Sequence, residues 1–169
     1  MSLFHSDAFL AFRSRDFSLL SVNQLCLILA IMIQEVVIAY SIYQLTQNPL
    51  SLGMIALIEL LPFICLSLIS GDWADRYNRQ KIVQWSFSCS TLIPLLFIVL
   101  FSQYQQQHIQ QNTLLCGIYS LIFCLGILRG IYSPSFNSLR PFLTPESAYS
   151  NAATWTALIW QMGGILAPL

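Results

Sequence analysis

Charge is what this sequence has least of: only 8% of its 169 residues are Asp, Glu, Lys or Arg. Soluble domains carry about a quarter. With 56% hydrophobic residues and a mean hydropathy of +0.67, the chain cannot cover itself with a polar surface. Lys81 is the single lysine and the formal net charge is zero, which leaves no basic field for nucleic acid. Histidine is scarce as well. His5 and His108 have no partner at metal-ligand spacing, so neither a metal nor another cofactor is expected. Cys26, Cys65, Cys89, Cys116 and Cys124 lie in apolar stretches without a C-x-x-C, and they read as small apolar side chains. No nucleophile–base pair and no phosphate-cradling loop is visible, so the chain does not read as an enzyme. A cleavable signal peptide is also missing, because the first apolar stretch runs well past the length of a signal core.

Long apolar runs are what the sequence does have. Five stretches approach the ~20 residues needed to cross a hydrocarbon core. They lie at about 17–43, 50–70, 82–101, 113–133 and 151–169. Continuous runs of this length exclude alternating barrel strands, so the expectation is an all-α membrane protein with about five transmembrane helices and no soluble domain. The last run reaches the end of the chain at Leu169, which reads as a fragment or as the product of a truncated gene.

The connectors differ in charge. Residues 44–49 and 102–112 contain no Lys or Arg, whereas 71–81 holds Asp72, Asp75, Arg76, Arg79 and Lys81. Residues 130–150 include Arg140, Pro141, Pro145 and Glu146, and the expected form is a short interfacial helix or an ordered loop. All seven basic residues (Arg13, Arg15, Arg76, Arg79, Lys81, Arg129 and Arg140) fall on one side of the expected topology. The positive-inside rule makes that side cytoplasmic, with a cytoplasmic N-terminus in a multi-pass cell-membrane protein.

Two acids lie inside apolar runs, Glu35 in the first and Glu59 near the middle of the second. A carboxylate there costs at least ~2.5–3.5 kcal/mol on insertion scales, so such residues face a partner or a cavity. Asn23 and Gln34 are eleven residues apart, as are Gln24 and Glu35, which is close to three helical turns. With Ser41 they form a polar stripe suited to an aqueous pathway, and Glu59 and Ser70 share the same spacing on the second run. The plainer alternatives are that Glu35 hydrates from the outer interface and that Glu59 only hydrogen-bonds a neighbouring helix.

The segment Gly71-Asp72-Trp73-Ala74-Asp75-Arg76-Tyr77-Asn78-Arg79-Gln80-Lys81 resembles the G-x-x-x-D-R-x-x-R-[RK] loop of the major facilitator superfamily. Gly71, Asp75, Arg76 and Arg79 match, and Lys81 stands one place late because Gln80 holds the usual basic position. Gly71 would allow close helix approach. Asp75 would sit near the start of the following helix, where free N–H groups favour negative charge, and could pair with Arg79 or Arg129. Residues 43–53 look like the short external turn of the bacterial branch that contains enterobactin exporters and macrolide efflux proteins. Arg129 occupies the region of the family's span-four arginine. Gly163, Gly164 and Pro168 resemble the span-five antiporter motif, although Ala167 replaces the glycine before proline; a glycine-rich packing helix explains them equally well.

The resemblance implies most of a six-helix N-terminal bundle of a twelve-span secondary transporter. It implies small-molecule efflux, driven by protons, through alternating access. Asp75, Arg76 and Arg79 would latch the cytoplasmic side, while Gln34, Glu35, Glu59 and Arg129 would line a substrate or proton pathway. The implied partners are a small-molecule substrate, the bilayer, protons and a separate chain supplying the C-terminal half. The competing reading is an inactive remnant or an accessory subunit, because five spans cannot form a two-sided cavity.

Overall fold

The computed structural model describes residues 15–76, 78–143 and 149–166. They form five helices: α1 (Arg15–Thr46), α2 (Leu50–Arg76), α3 (Arg79–Gln105), α4 (Gln111–Leu143) and α5 (Tyr149–Leu166). The fold is the all-α membrane bundle expected from the apolar runs. Four stretches are long and apolar enough to cross a membrane, namely Phe17–Thr46, Leu50–Asp72, Gln80–Gln105 and Gln111–Ser138. α5 is not among them. Its 18 residues include Ser150, Asn151, Thr154, Thr156 and Gln161, and the last three residues of the expected fifth run lie outside the described residues.

Large apolar side chains point outward along these helices. Leu68 is 79% exposed, Leu50 76% and Trp85 73%. A surface of this kind fits a lipid solvent and not water. The five cysteines are free, and Cys26, Cys65, Cys116 and Cys124 belong to the same outer surface.

Two compact units are present: the described residues up to Ile38 with those from Ser138 onward, and Ala39–Asn137. In the first unit, α1 buries Phe17, Ser21, Gln24 and Ile28 at helical spacing. Ile28 packs on Gly163 of α5, where an added methyl would collide with the Ile28 Cγ2.

The second unit is built on one row of α4. Leu114, Ile118, Ile122, Gly126 and Gly130 recur every fourth residue and all are buried. Such an i, i+4 row is a packing ridge. α2 lies along its glycine end with Glu59 and Pro62 against Gly126, and Phe63 and Leu66 against Gly130. Both helices ascend together in number, so they are parallel. α3 runs antiparallel to α4, with Leu100 against Gly117 and Phe87 edge-on to Tyr132 at 5.2 Å between ring centroids.

Short caps join these helices. Asn48 accepts the Leu50 N–H at 3.0 Å, and Pro49 sits where its missing N–H costs nothing. Asn78 Oδ1 caps α3 by accepting from the backbone N–H groups of Gln80 (3.0 Å) and Lys81 (3.4 Å). The Gln111 side chain donates to the Leu45 carbonyl at 2.6 Å and ties the end of α1 to the start of α4.

Two boundaries differ from the expectation. α2 continues through Gly71 to Arg76, so most of the expected 71–81 connector is helix. α4 continues through Pro134 to Leu143, where an interfacial helix or loop was expected from residue 130. Proline lacks the N–H that would bond the carbonyl four residues back, here that of Gly130. The buried Ser70 hydroxyl donates to that same carbonyl at 2.6 Å. The acceptor freed by proline is therefore satisfied from α2, and the helix carries on.

Candidate functional site

The site lies where α2 and α4 touch. Glu59 stands nine residues after Leu50 and thirteen before Asp72, about 13 Å and ~20 Å from the ends of its apolar stretch. Arg129 stands nine residues, about 13 Å, before Ser138. Both charges are thus well inside the spans.

They form an ion pair, with Arg129 Nη1 donating to Glu59 Oε1. Their side chains are 25% and 18% exposed, respectively. The backbone explains the meeting. Helical side chains lean toward their own N-terminus. Because the helices are parallel and Gly126 is level with Glu59, Arg129 lies one turn further along and reaches back.

Gly126 and Gly130 permit this approach. A methyl at Gly126 would overlap the Glu59 carbonyl oxygen and lie 2.7 Å from Pro62 Cγ. At Gly130 it would lie 2.9 Å from Leu66 Cβ and 3.0 Å from the Phe63 carbonyl oxygen. Paired intramembrane charges of this kind recur on ion and substrate pathways. A carboxylate that can accept a proton, held by a permanent cation, can exchange one partner for the other.

The structure brings together two of the four pathway residues expected from sequence, Glu59 and Arg129. Glu35 and Gln34 belong to the other unit. Gln34 is half-buried, and its amide nitrogen is buried without a hydrogen-bond partner among the described residues. The amide nitrogen of Gln24 is in the same position, on a side chain only 3% exposed. Asn23, placed on the same polar stripe, is exposed. The stripe thus divides between a packed face and an outer one.

The 71–81 motif falls differently from the expectation. Among the described residues no heavy atom lies within 4 Å of a methyl placed on Gly71, so close approach is found at Gly126 and Gly130 instead. Asp75 and Arg76 end α2, and Arg79 begins α3, while the side chains of all three lie outside the described residues. Asp75 therefore does not open the next helix. Asn78 performs that capping, because the two helices are separated by only two residues. Arg129 was assigned to the basic face and offered as a partner for Asp75. It is level with Pro62, some 13 residues or ~20 Å short of Asp75 along the helix, and pairs with Glu59. Lys81 is exposed. In α5, Gly163 is a packing contact, Gly164 meets nothing among the described residues, and Pro168 lies outside them.

Sequence reasoning missed Gly126 and Gly130, and it read Ser70 only as sharing a polar stripe with Glu59 on the second span. The glycines had a readable signal, since Gly126-Ile127-Leu128-Arg129-Gly130 is a G-x-x-x-G in an apolar helix. The bond from Ser70 to α4 had none, because it depends on a proline 64 residues away. Among the described residues no three His, Cys, Asp or Glu side chains gather at metal-binding distance.

The family model of the Major Facilitator Superfamily matches residues 3–168. An uncharacterized MFS-type transporter of Bacillus subtilis (strain 168), YkuC, is 29% identical over 106 residues, which covers 60% of this chain and 22% of that relative. The match therefore spans about a fifth of the length of that protein. No solved structure matches the chain.

Proposed function

This chain belongs to the Major Facilitator Superfamily, and from that membership we propose that it forms part of a secondary transporter that exports amphipathic small molecules against a proton gradient. The observation that carries the proposal is the Glu59–Arg129 pair inside the apolar spans of α2 and α4. In the proposed cycle Glu59 takes up a proton and releases Arg129. The freed guanidinium binds an acceptor on the substrate or on a second helix, and deprotonation restores the pair. Coupling to movement runs through the α2–α4 contact, where Gly126 leaves no slack between the backbones. Gln24 and Gln34 offer amide N–H groups that have no acceptor among the described residues, and they suit a polar substrate group. Glu35 extends the same polar helix.

The remaining half of the pathway comes from a further six-helix bundle, in this chain's full-length form or in a separate polypeptide, and transport proceeds by rocking of the halves. The affinity with the enterobactin and macrolide exporters, read from residues 43–53, is the basis for the substrate class. In the same reading Asp75, Arg76 and Arg79 latch the cytoplasmic face, and Gly163, Gly164 and Pro168 serve span five. Orientation rests on Arg13, Arg15, Arg76, Arg79, Lys81 and Arg140, with Arg129 now removed from the argument, and the N-terminus stays cytoplasmic.

Glu59→Gln in a complete transporter containing this half tests the proposal. The variant keeps the hydrogen-bonding shape and cannot ionise. Gradient-driven efflux should be abolished at normal expression. Efflux that still follows the pH gradient would reject the proton role of Glu59.

A further inference from the structure

A groove of about 570 Å³ opens between α3 and α4 beside the α2–α3 turn. It is not part of the Glu59 site. We infer that it binds an anionic phospholipid, with the phosphate on Lys81 and one acyl chain lying along the groove. The groove changes character along its length. Lys81 is exposed at the second residue of the apolar stretch Gln80–Gln105, which puts its ammonium at the depth of lipid phosphates. No carboxylate among the described residues pairs with it. One turn deeper Trp85 is 73% exposed, at the level where indole rings favour the membrane interface. Ile82 beside Lys81 and, deeper, Cys89, Leu128 and Ile131 form apolar walls. Lys81 to Cys89 covers eight residues, about 12 Å of α3.

A cation at the rim with an apolar floor is complementary to an amphiphile with an anionic head, and the bilayer around this helix supplies that amphiphile at high concentration. Basic pockets between helices near a membrane face are established recognition sites for acidic lipid headgroups. A zwitterionic lipid with a terminal quaternary amine places a second cation beside Lys81 and is disfavoured. The groove lies at the membrane face of the turn, so the inference holds for either orientation of the chain.

The test uses the 169-residue chain in micelles containing equal phosphatidylglycerol and phosphatidylcholine, with retained lipids weighed by native mass spectrometry. Phosphatidylglycerol should be retained preferentially, with the preference weakening as salt rises. Lys81→Gln should reduce the preference about fivefold, the loss of one interfacial cation, while Lys81→Arg keeps it. Leu128→Trp, which fills the floor, should lower retention of both lipids. Because a variant could misfold, a second measurement reads the groove without altering it. Brominated-chain phosphatidylglycerol should quench Trp85 more than brominated phosphatidylcholine does, in a chain whose other three tryptophans are Phe. Equal quenching by the two lipids, or an unchanged preference in Lys81→Gln, would overturn the site; so would a groove already filled by another protein segment and inaccessible to either lipid.

Discussion

The α2–α4 seam and the α2–α3 turn belong to one compact unit, yet they are held by opposite means. At the seam, two glycines remove side chains so that backbones touch, and a charge pair and a serine hydroxyl meet within the apolar spans. At the turn, the exposed Asn78 caps the start of α3, and the glycine there faces open space among the described residues. Steric fit and desolvated charge make the seam intolerant of change. The turn should tolerate substitutions in folding and answer for them in transport.

The largest effect should come from leaving a charge alone at the seam. Arg129→Ala removes the cation paired with Glu59; breaking a fully buried pair costs on the order of 3–5 kcal/mol, which is the upper bound for this part-buried one. Denaturation of the detergent-solubilised chain should show that loss. A loss below about 1 kcal/mol would mean that the pair is well solvated.

The glycines give the sharpest contrast because the same change should act with opposite signs. Gly126→Ala forces α4 away from the Glu59 carbonyl and from Pro62, with a cost of about 1–3 kcal/mol. Gly71→Ala meets nothing among the described residues and removes a helix-interior glycine, so it should stabilise by roughly 0.5–1 kcal/mol. Melting temperatures of the two variants, measured side by side, decide the matter, and equal shifts would erase the distinction between seam and turn.

Ser70→Ala should cost about 1 kcal/mol, within the range seen for hydrogen bonds between membrane helices. Its signature is local: amide exchange should rise around Pro134, where the Gly130 carbonyl loses its donor. Unchanged exchange there would show that another group serves the carbonyl.

Asp75→Asn should have the smallest effect on folding. Expression near the unmodified level with reduced transport in a complete transporter is expected, and full transport would argue against a latch at this position.

The first four helices were legible because lipid imposes length and apolarity directly on sequence, whereas α5 was expected as a fifth span and falls short of that length and apolarity among the described residues. Their ends were less so. Pro134 and Gly71 look like terminators in isolation, and both lie inside helices. For Pro134 the reason is tertiary, since Ser70 supplies what proline removes. Glu59 stood out as a charge in an apolar run. Its partner was read as an interfacial cation because span four seemed to close at residue 133. Once α4 reaches Leu143, Arg129 moves inward by several residues and the pair becomes possible. The register that joins them is set by Gly126 and Gly130, whose G-x-x-x-G spacing is visible but names no partner helix.

A double-mutant cycle on Glu59→Gln and Arg129→Gln tests the central claim most directly. If the two side chains pair inside the membrane, each single variant leaves one charge without the other and the double variant removes both. The double variant should then be more stable than the sum of the singles by on the order of 1–3 kcal/mol. Additivity within about 0.5 kcal/mol would show that Glu59 and Arg129 act independently, and would contradict the seam as the functional centre.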